Sequence, residues 1–144
     1  MKHALPLTLA AALLAAPAFA DEPAQSEPAQ SEASEPTAGE IELAEMLEGR
    51  VAGEPVKCLR RSQRDSLRVV DRTALVFRDG NTLYVNRPNG ARFLDNWDVP
   101  VFRQFTSSLC RLDQVELRDR TSLMPGPVLF LGDFVPYTKP AKEG

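Results

Sequence analysis

Between Asp21 and Glu40 no apolar side chain is larger than alanine or proline. A segment of that composition has nothing to bury against the entropy lost when its backbone is ordered, so it can supply no part of a core. The unit Glu-Pro-Ala-Gln-Ser occurs twice, at 22–26 and 27–31, and Pro23, Pro28 and Pro36 favour extended, solvated backbone. Residues 21–40 are therefore expected to form a disordered acidic tether. What can fold is residues 41–144, enough for one domain with a modest core and too short for two.

The residues ahead of the tether have a different character. Lys2 and His3 open the chain, an apolar run extends from Ala4 to Ala16, and Ala18 and Ala20 place small side chains where a signal peptidase needs them. Residues 1–20 read as a signal peptide, with Asp21 first in the mature chain. The apolar run is too short to span a bilayer, so no transmembrane segment is expected in the mature form. No Cys follows the cleavage point to carry a lipid. The expected location is the periplasm, or the extracellular space if the protein travels further.

His3 is the only histidine, and cleavage removes it. Ser-His-Asp and Cys-His nucleophilic sites need an imidazole to take the nucleophile's proton, so the mature chain cannot build them. Histidine-containing zinc arrangements go with them, and no metal or cofactor is expected. Hydrolysis by paired carboxylates survives this cut. Ser/Lys and Tyr-based schemes survive as well, but no spacing singles one out.

Charge is unevenly shared. The tether holds six carboxylates and no cation, while the whole chain has a formal net charge of −3. Without the tether and the signal peptide, residues 41–144 are left at about +2. That mild surplus, with no recognisable reading element, does not point to nucleic acid.

Leu43, Met46 and Leu47 follow helical spacing among glutamates, and Gly49 or Gly53 can end the run. Beyond Gly53 the chain is mostly β in character. Val56–Leu59, Leu67–Val70, Thr73–Arg78, Thr82–Asn86, Val115–Arg118 and Val128–Leu131 read as strands, and Phe134-Val135 reads as an edge closed by Pro136. Asp79, Gly80 and Asn81 supply a hairpin turn between two of them. Arg103–Thr106 reads as a short helical turn. The expected fold is mainly β: a small antiparallel barrel or sandwich of about five to seven strands with one or two short helices and one disulfide.

Cys58 and Cys110 are the only cysteines. An even count in an exported chain points to a structural bridge, and the absence of C-x-x-C spacing argues against redox or metal chemistry. Closing a loop of roughly fifty residues would stabilise the fold by about 4 kcal/mol on chain-entropy grounds.

The ordered series Cys58-Leu59, Val69–Phe77, Tyr84–Arg87, Ser108–Asp113 and Leu131–Tyr137 resembles a family of small exported bacterial proteins known only as a domain of unknown function. The resemblance spans about Pro55 to Tyr137. Members carry two further cysteines at the positions of Ala91 and Leu129. Their joint absence here is what a mutual pairing of those two would produce, and it implies Cys58–Cys110 as the remaining bridge. The family has no established activity, so the resemblance implies a scaffold and no mechanism.

The densest polar feature is Arg60, Arg61, Arg64, Arg68 and Arg72. On a helix four of these would form one stripe, but the β-branched Val69-Val70 argues for strand and turn. Guanidinium forks suit carboxylates and phosphates, which makes the group a candidate anion-binding face. The plainer reading is a solvated face of local ion pairs, partly screened by the acidic tether. Asp71-Arg72-Thr73 reads as turn chemistry, with Asp71 as a catalytic acid or base in the alternative, and Asp113 invites the same two readings. Asp95-Asn96-Trp97-Asp98 lacks calcium-loop spacing. Trp97, Phe102 and Phe105 are expected to cover one end of the core, with a ligand platform as the alternative. The leading expectation is a non-enzymatic envelope protein that binds a periplasmic protein or an anionic surface component. The rival is a small hydrolase of an envelope substrate using Asp71, Asp113 and Asp95.

Overall fold

A computed structural model describes residues 35–140. The expected signal peptide, and the expected tether as far as residue 34, lie outside the described residues. The first element is a helix, α1 (Ala38–Leu47), which begins three residues inside the stretch assigned to the tether. Thr37 is the reason: its hydroxyl accepts from the Glu40 backbone N–H at 3.3 Å and caps the first turn.

Ten antiparallel strands come after it among the described residues: β1 (Val51–Ala52), β2 (Cys58–Leu59), β3 (Ser66–Val70), β4 (Ala74–Asp79), β5 (Thr82–Asn86), β6 (Val99–Arg103), β7 (Leu109–Cys110), β8 (Gln114–Arg118), β9 (Pro125–Phe130) and β10 (Phe134–Thr138). β1, β2 and β7 have only two residues each; the other seven have five or six. They form a five-stranded sheet in the order β1-β10-β5-β4-β3, a three-stranded sheet β6-β8-β9, and the pair β2-β7. The sheets stack as an open sandwich, and among the described residues no barrel closes.

β4 explains the layering. Its residues 74–77 are all buried, because both faces of the sheet are covered. Ala74 and Val76 point to one side, where they meet Leu43 of α1 with Val70, Leu83 and Val85. Leu75 and Phe77 point to the other, into the larger cluster of Leu59, Leu94, Leu109, Val115, Leu117, Leu129, Leu131 and Phe134. The resulting order is helix, large sheet, small sheets.

Cys58 and Cys110 form the disulfide, and they are direct cross-strand partners in the β2–β7 ladder. The next pair, Leu59 and Leu109, is fully buried, so the bridge sits at the lip of the main core. Asp113 fixes the turn beyond it: its carboxylate accepts from the Cys110 N–H at 2.7 Å.

Three local expectations require correction. β10 does not stop at Pro136 but continues to Thr138, because β1 ends at Ala52 and asks no N–H of Pro136. The Pro136 carbonyl accepts instead, from Gly53 N at 2.7 Å. Arg103 ends strand β6 and does not begin a helical turn; the bend after it is held by Thr106, whose hydroxyl donates to the Ser108 carbonyl at 2.9 Å. Trp97 and Phe105 are 56% and 85% exposed and do not close the core. Leu94 does that, and only Phe102 of the expected trio packs inward, 5.8 Å from Phe77 between ring centres.

Candidate functional site: an arginine-rimmed cleft beside β3

β3 is the last strand of the five-stranded sheet and has a hydrogen-bonded neighbour on one side only among the described residues. Alternation along Ser66–Val70 turns Leu67 and Val69 toward the small sheets and Arg68 toward α1. A 3₁₀ turn, Arg61–Gln63, leads into the strand. Gln63 anchors it: its side chain accepts from the Arg60 N–H at 3.0 Å and donates to the Tyr84 hydroxyl at 2.9 Å.

That turn sets Arg61 and Arg64 on the rim of a cleft of about 550 Å³, floored by Leu67, Phe77 and Phe102 and closed on the far side by Gln104 and Ser107. Arg64 donates from Nη1 to the Gln104 amide oxygen at 3.1 Å. Its Nε is buried and has no hydrogen-bond partner. A donor buried without an acceptor costs about 1–3 kcal/mol, and an oxygen reaches this one only if the Arg64 side chain shifts. No carboxylate lines this cleft. A second cleft, also about 550 Å³, continues along the same edge, with Leu67, Arg68 and Val69 on one wall and Val99 and Pro100 of β6 on the other. Leu67 lines both.

Of the five arginines singled out in the sequence, the fold brings Arg61 and Arg64 together. Arg68 lies on the adjoining strand, already paired with Glu42 of α1 at 2.6 Å. Arg60 starts the 3₁₀ turn, exposed and outside both clefts; Arg72 sits in the β3–β4 turn with a positive φ of 53°, away from the rim. None of the hydrolase candidates lines either cleft; Asp71 and Asp95 adjoin the second, whose own carboxylates are Glu42 and Asp98, and each candidate is engaged by a backbone N–H. Asp71 accepts from Asn96 at 2.7 Å, Asp95 from Trp97 at 2.8 Å, and Asp113 from Cys110. At the far end of the second cleft, Asp98 has its pKa raised, first by burial and then by Asp95 and Asp119.

Sequence reasoning missed the cleft's floor and its opposite wall. Leu67 and Phe77 are cross-strand partners in the β3–β4 hairpin, so correct pairing of two expected strands would have found half of the floor. Gln104 and Ser107 come after a strand that was not foreseen, and nothing in their own identities marks them. Another unforeseen feature is Glu116, buried on the outer face of β8 between Arg103 and Arg118, each at 2.8 Å. Its pKa is lowered, chiefly by the hydrogen bond from Arg103 and further by Arg118, with burial opposing.

These features define a disulfide-tied antiparallel β sandwich, capped by one helix, with a cationic cleft at its open edge. Comparison with protein-family models, curated proteins and solved structures finds no match for the chain. Among the described residues no helix is long and apolar enough to cross a membrane.

Proposed function

We propose that this is an exported, non-enzymatic binding protein that receives an anionic group at Arg61 and Arg64. The observation that carries this reading is the convergence of Arg61 and Arg64 on one apolar-floored cleft that no carboxylate lines. Guanidinium groups in that setting hold carboxylates or phosphates through charge-assisted bonds. Export is supported by the leader-like residues 1–20 and by the disulfide. The hydrolase reading loses support, since the Asp71, Asp95 and Asp113 carboxylates each already accept from a backbone N–H and none lines a cleft.

Membership in the resembled family also belongs to this proposal. It draws support from the neighbourhood of Ala91 and Leu129: Asn89 pairs with Phe130, and a Cβ on Gly90 would stand 2.9 Å from the Leu129 side chain. Two cysteines at those positions would be near neighbours.

Retention of the purified protein on immobilised lipopolysaccharide or peptidoglycan, measured against salt, tests the binding reading. Arg61→Ala with Arg64→Ala is expected to abolish salt-sensitive retention, whereas Arg72→Ala leaves it in place. Equal retention of all variants would overturn the proposal.

A further inference from the structure

The geometry points to one ligand class for this cleft: an extended peptide segment that adds to the free edge of β3, sets an apolar side chain on the Leu67–Phe77–Phe102 floor, and brings a carboxylate to Arg61 and Arg64. The inference rests on the anion-binding reading above and narrows it.

Three observations converge on it. The first is the strand edge. An unpaired edge presents alternating backbone donors and acceptors, which is a template for a further strand. Natural sheets blunt such edges with proline or keep them short. Here β9 carries Pro125 and Pro127, β6 carries Pro100, and β1 has only two residues. β3 ends its sheet over five residues with no proline and no glycine, and its one charged side chain, Arg68, is paired with Glu42 of α1.

The second is continuity. Both clefts lie along this edge and share Leu67, so the groove beside Leu67, Arg68 and Val69 leads directly into the cationic cleft. A strand laid against β3 would alternate its side chains between the apolar floor and solvent.

The third is charge complementarity. Arg61 and Arg64 meet no acidic side chain in their cleft, and neither forms an ion pair among the described residues. A lipid phosphate would satisfy the arginines and leave the strand edge unused. A peptide carrying a carboxylate two residues from an apolar one, on the same face of the strand, satisfies the edge, the floor and the rim together.

Fluorescence polarisation with a labelled synthetic hexapeptide of alternating Thr and Val ending in Phe-Thr-Glu-amide tests this. Saturable binding is expected, weakened at least about tenfold when the peptide's Glu is replaced by Gln, the scale of one lost charge-assisted bond. N-methylation of the alternate amides that face β3 is expected to weaken binding to a similar degree, while methylation of the other set has little effect. Arg61→Ala with Arg64→Ala should remove binding; Arg92→Ala, on a separate turn, should not. If both N-methylated peptides bind like the parent while the double arginine variant still loses affinity, strand addition is wrong and the anion reading stands. If phosphatidylglycerol vesicles bind through the same arginines and the peptide does not, the ligand is a lipid headgroup and the inference falls. If the double variant binds the peptide undiminished, both readings fall.

Discussion

Asn86 and Gly132 hold each other from both sides: the Asn86 amide donates to the Gly132 carbonyl at 2.7 Å and accepts from the Gly132 N–H at 3.1 Å. Asn86 is fully buried at the end of β5, where it stands opposite both Leu75 and Phe134. Its side chain therefore ties the turn between β9 and β10 to the centre of the large sheet. Asn86→Ala would leave those backbone groups unpaired in the core. The expected loss is about 2–3 kcal/mol, read as a lowered urea midpoint at unchanged slope. A change within a few tenths of a kcal/mol would show the clamp to be dispensable.

The Cys58–Cys110 bridge closes a separation of 52 residues. Replacing both cysteines with Ala is expected to cost about 4 kcal/mol on chain-entropy grounds. Thermal melting should show a matching drop for wild-type protein in strong reductant. Iodoacetamide should label neither cysteine before reduction and both after denaturing reduction.

Gly39 lies where α1 crosses the β3–β4 turn. A Cβ there would stand 2.1 Å from the Asp71 carbonyl oxygen and 2.3 Å from the Thr73 hydroxyl. Gly39→Ala must push the helix off the sheet, and the gain in helix propensity, about 1 kcal/mol, does not offset that clash. Gly49→Ala meets open space and carries only the strain of a φ of 69°. Chemical denaturation of the two variants is expected to rank Gly39→Ala as the more damaging.

Acid should weaken the fold through Glu116 and Glu40. The Arg103 hydrogen bond, aided by Arg118, lowers the Glu116 pKa below its ordinary 4.5, and the Arg87 hydrogen bond does the same for Glu40. A carboxylate with a lowered folded-state pKa stabilises above its ordinary value and loses that contribution as pH falls through the lowered one. Asp98, whose pKa is raised chiefly by burial, acts in the opposite sense. The stability gap between wild type and Glu116→Gln should be open near neutral pH and close as the carboxylate is protonated. A gap independent of pH would mean that the Arg103–Glu116–Arg118 cluster acts through shape alone.

Runs of β-branched and large apolar residues made the β class readable; with Leu75 and Phe77 buried on one side and Ala74 and Val76 on the other, β4 is a continuous apolar stretch in the sequence. The Arg78–Thr82 region announced its hairpin through Gly80, whose φ is 52°. β6 stayed hidden because Pro100 lowers strand propensity and its partner β8 is remote in sequence, with Val99 opposite Arg118. The cleft was half legible. Arg61 and Arg64 stand out as charges, but which of five arginines converge depends on where the chain turns. Gln63 decides that by reaching Tyr84, 21 residues away.

β10 lies between β1 and β5. A chain emerging from its N-terminal end can pair β3, β4 and β5 as they appear, but it cannot seat β1 in the sheet. The strand that must separate β1 from β5 is the last among the described residues. Until residues 134–138 are free, the large sheet is short of two members and Phe134, at the heart of the main core, is missing. Completion of the large sheet therefore waits on β10, so a chain cut short before Phe134 could hold β3, β4 and β5 together but would leave β1 without a neighbour.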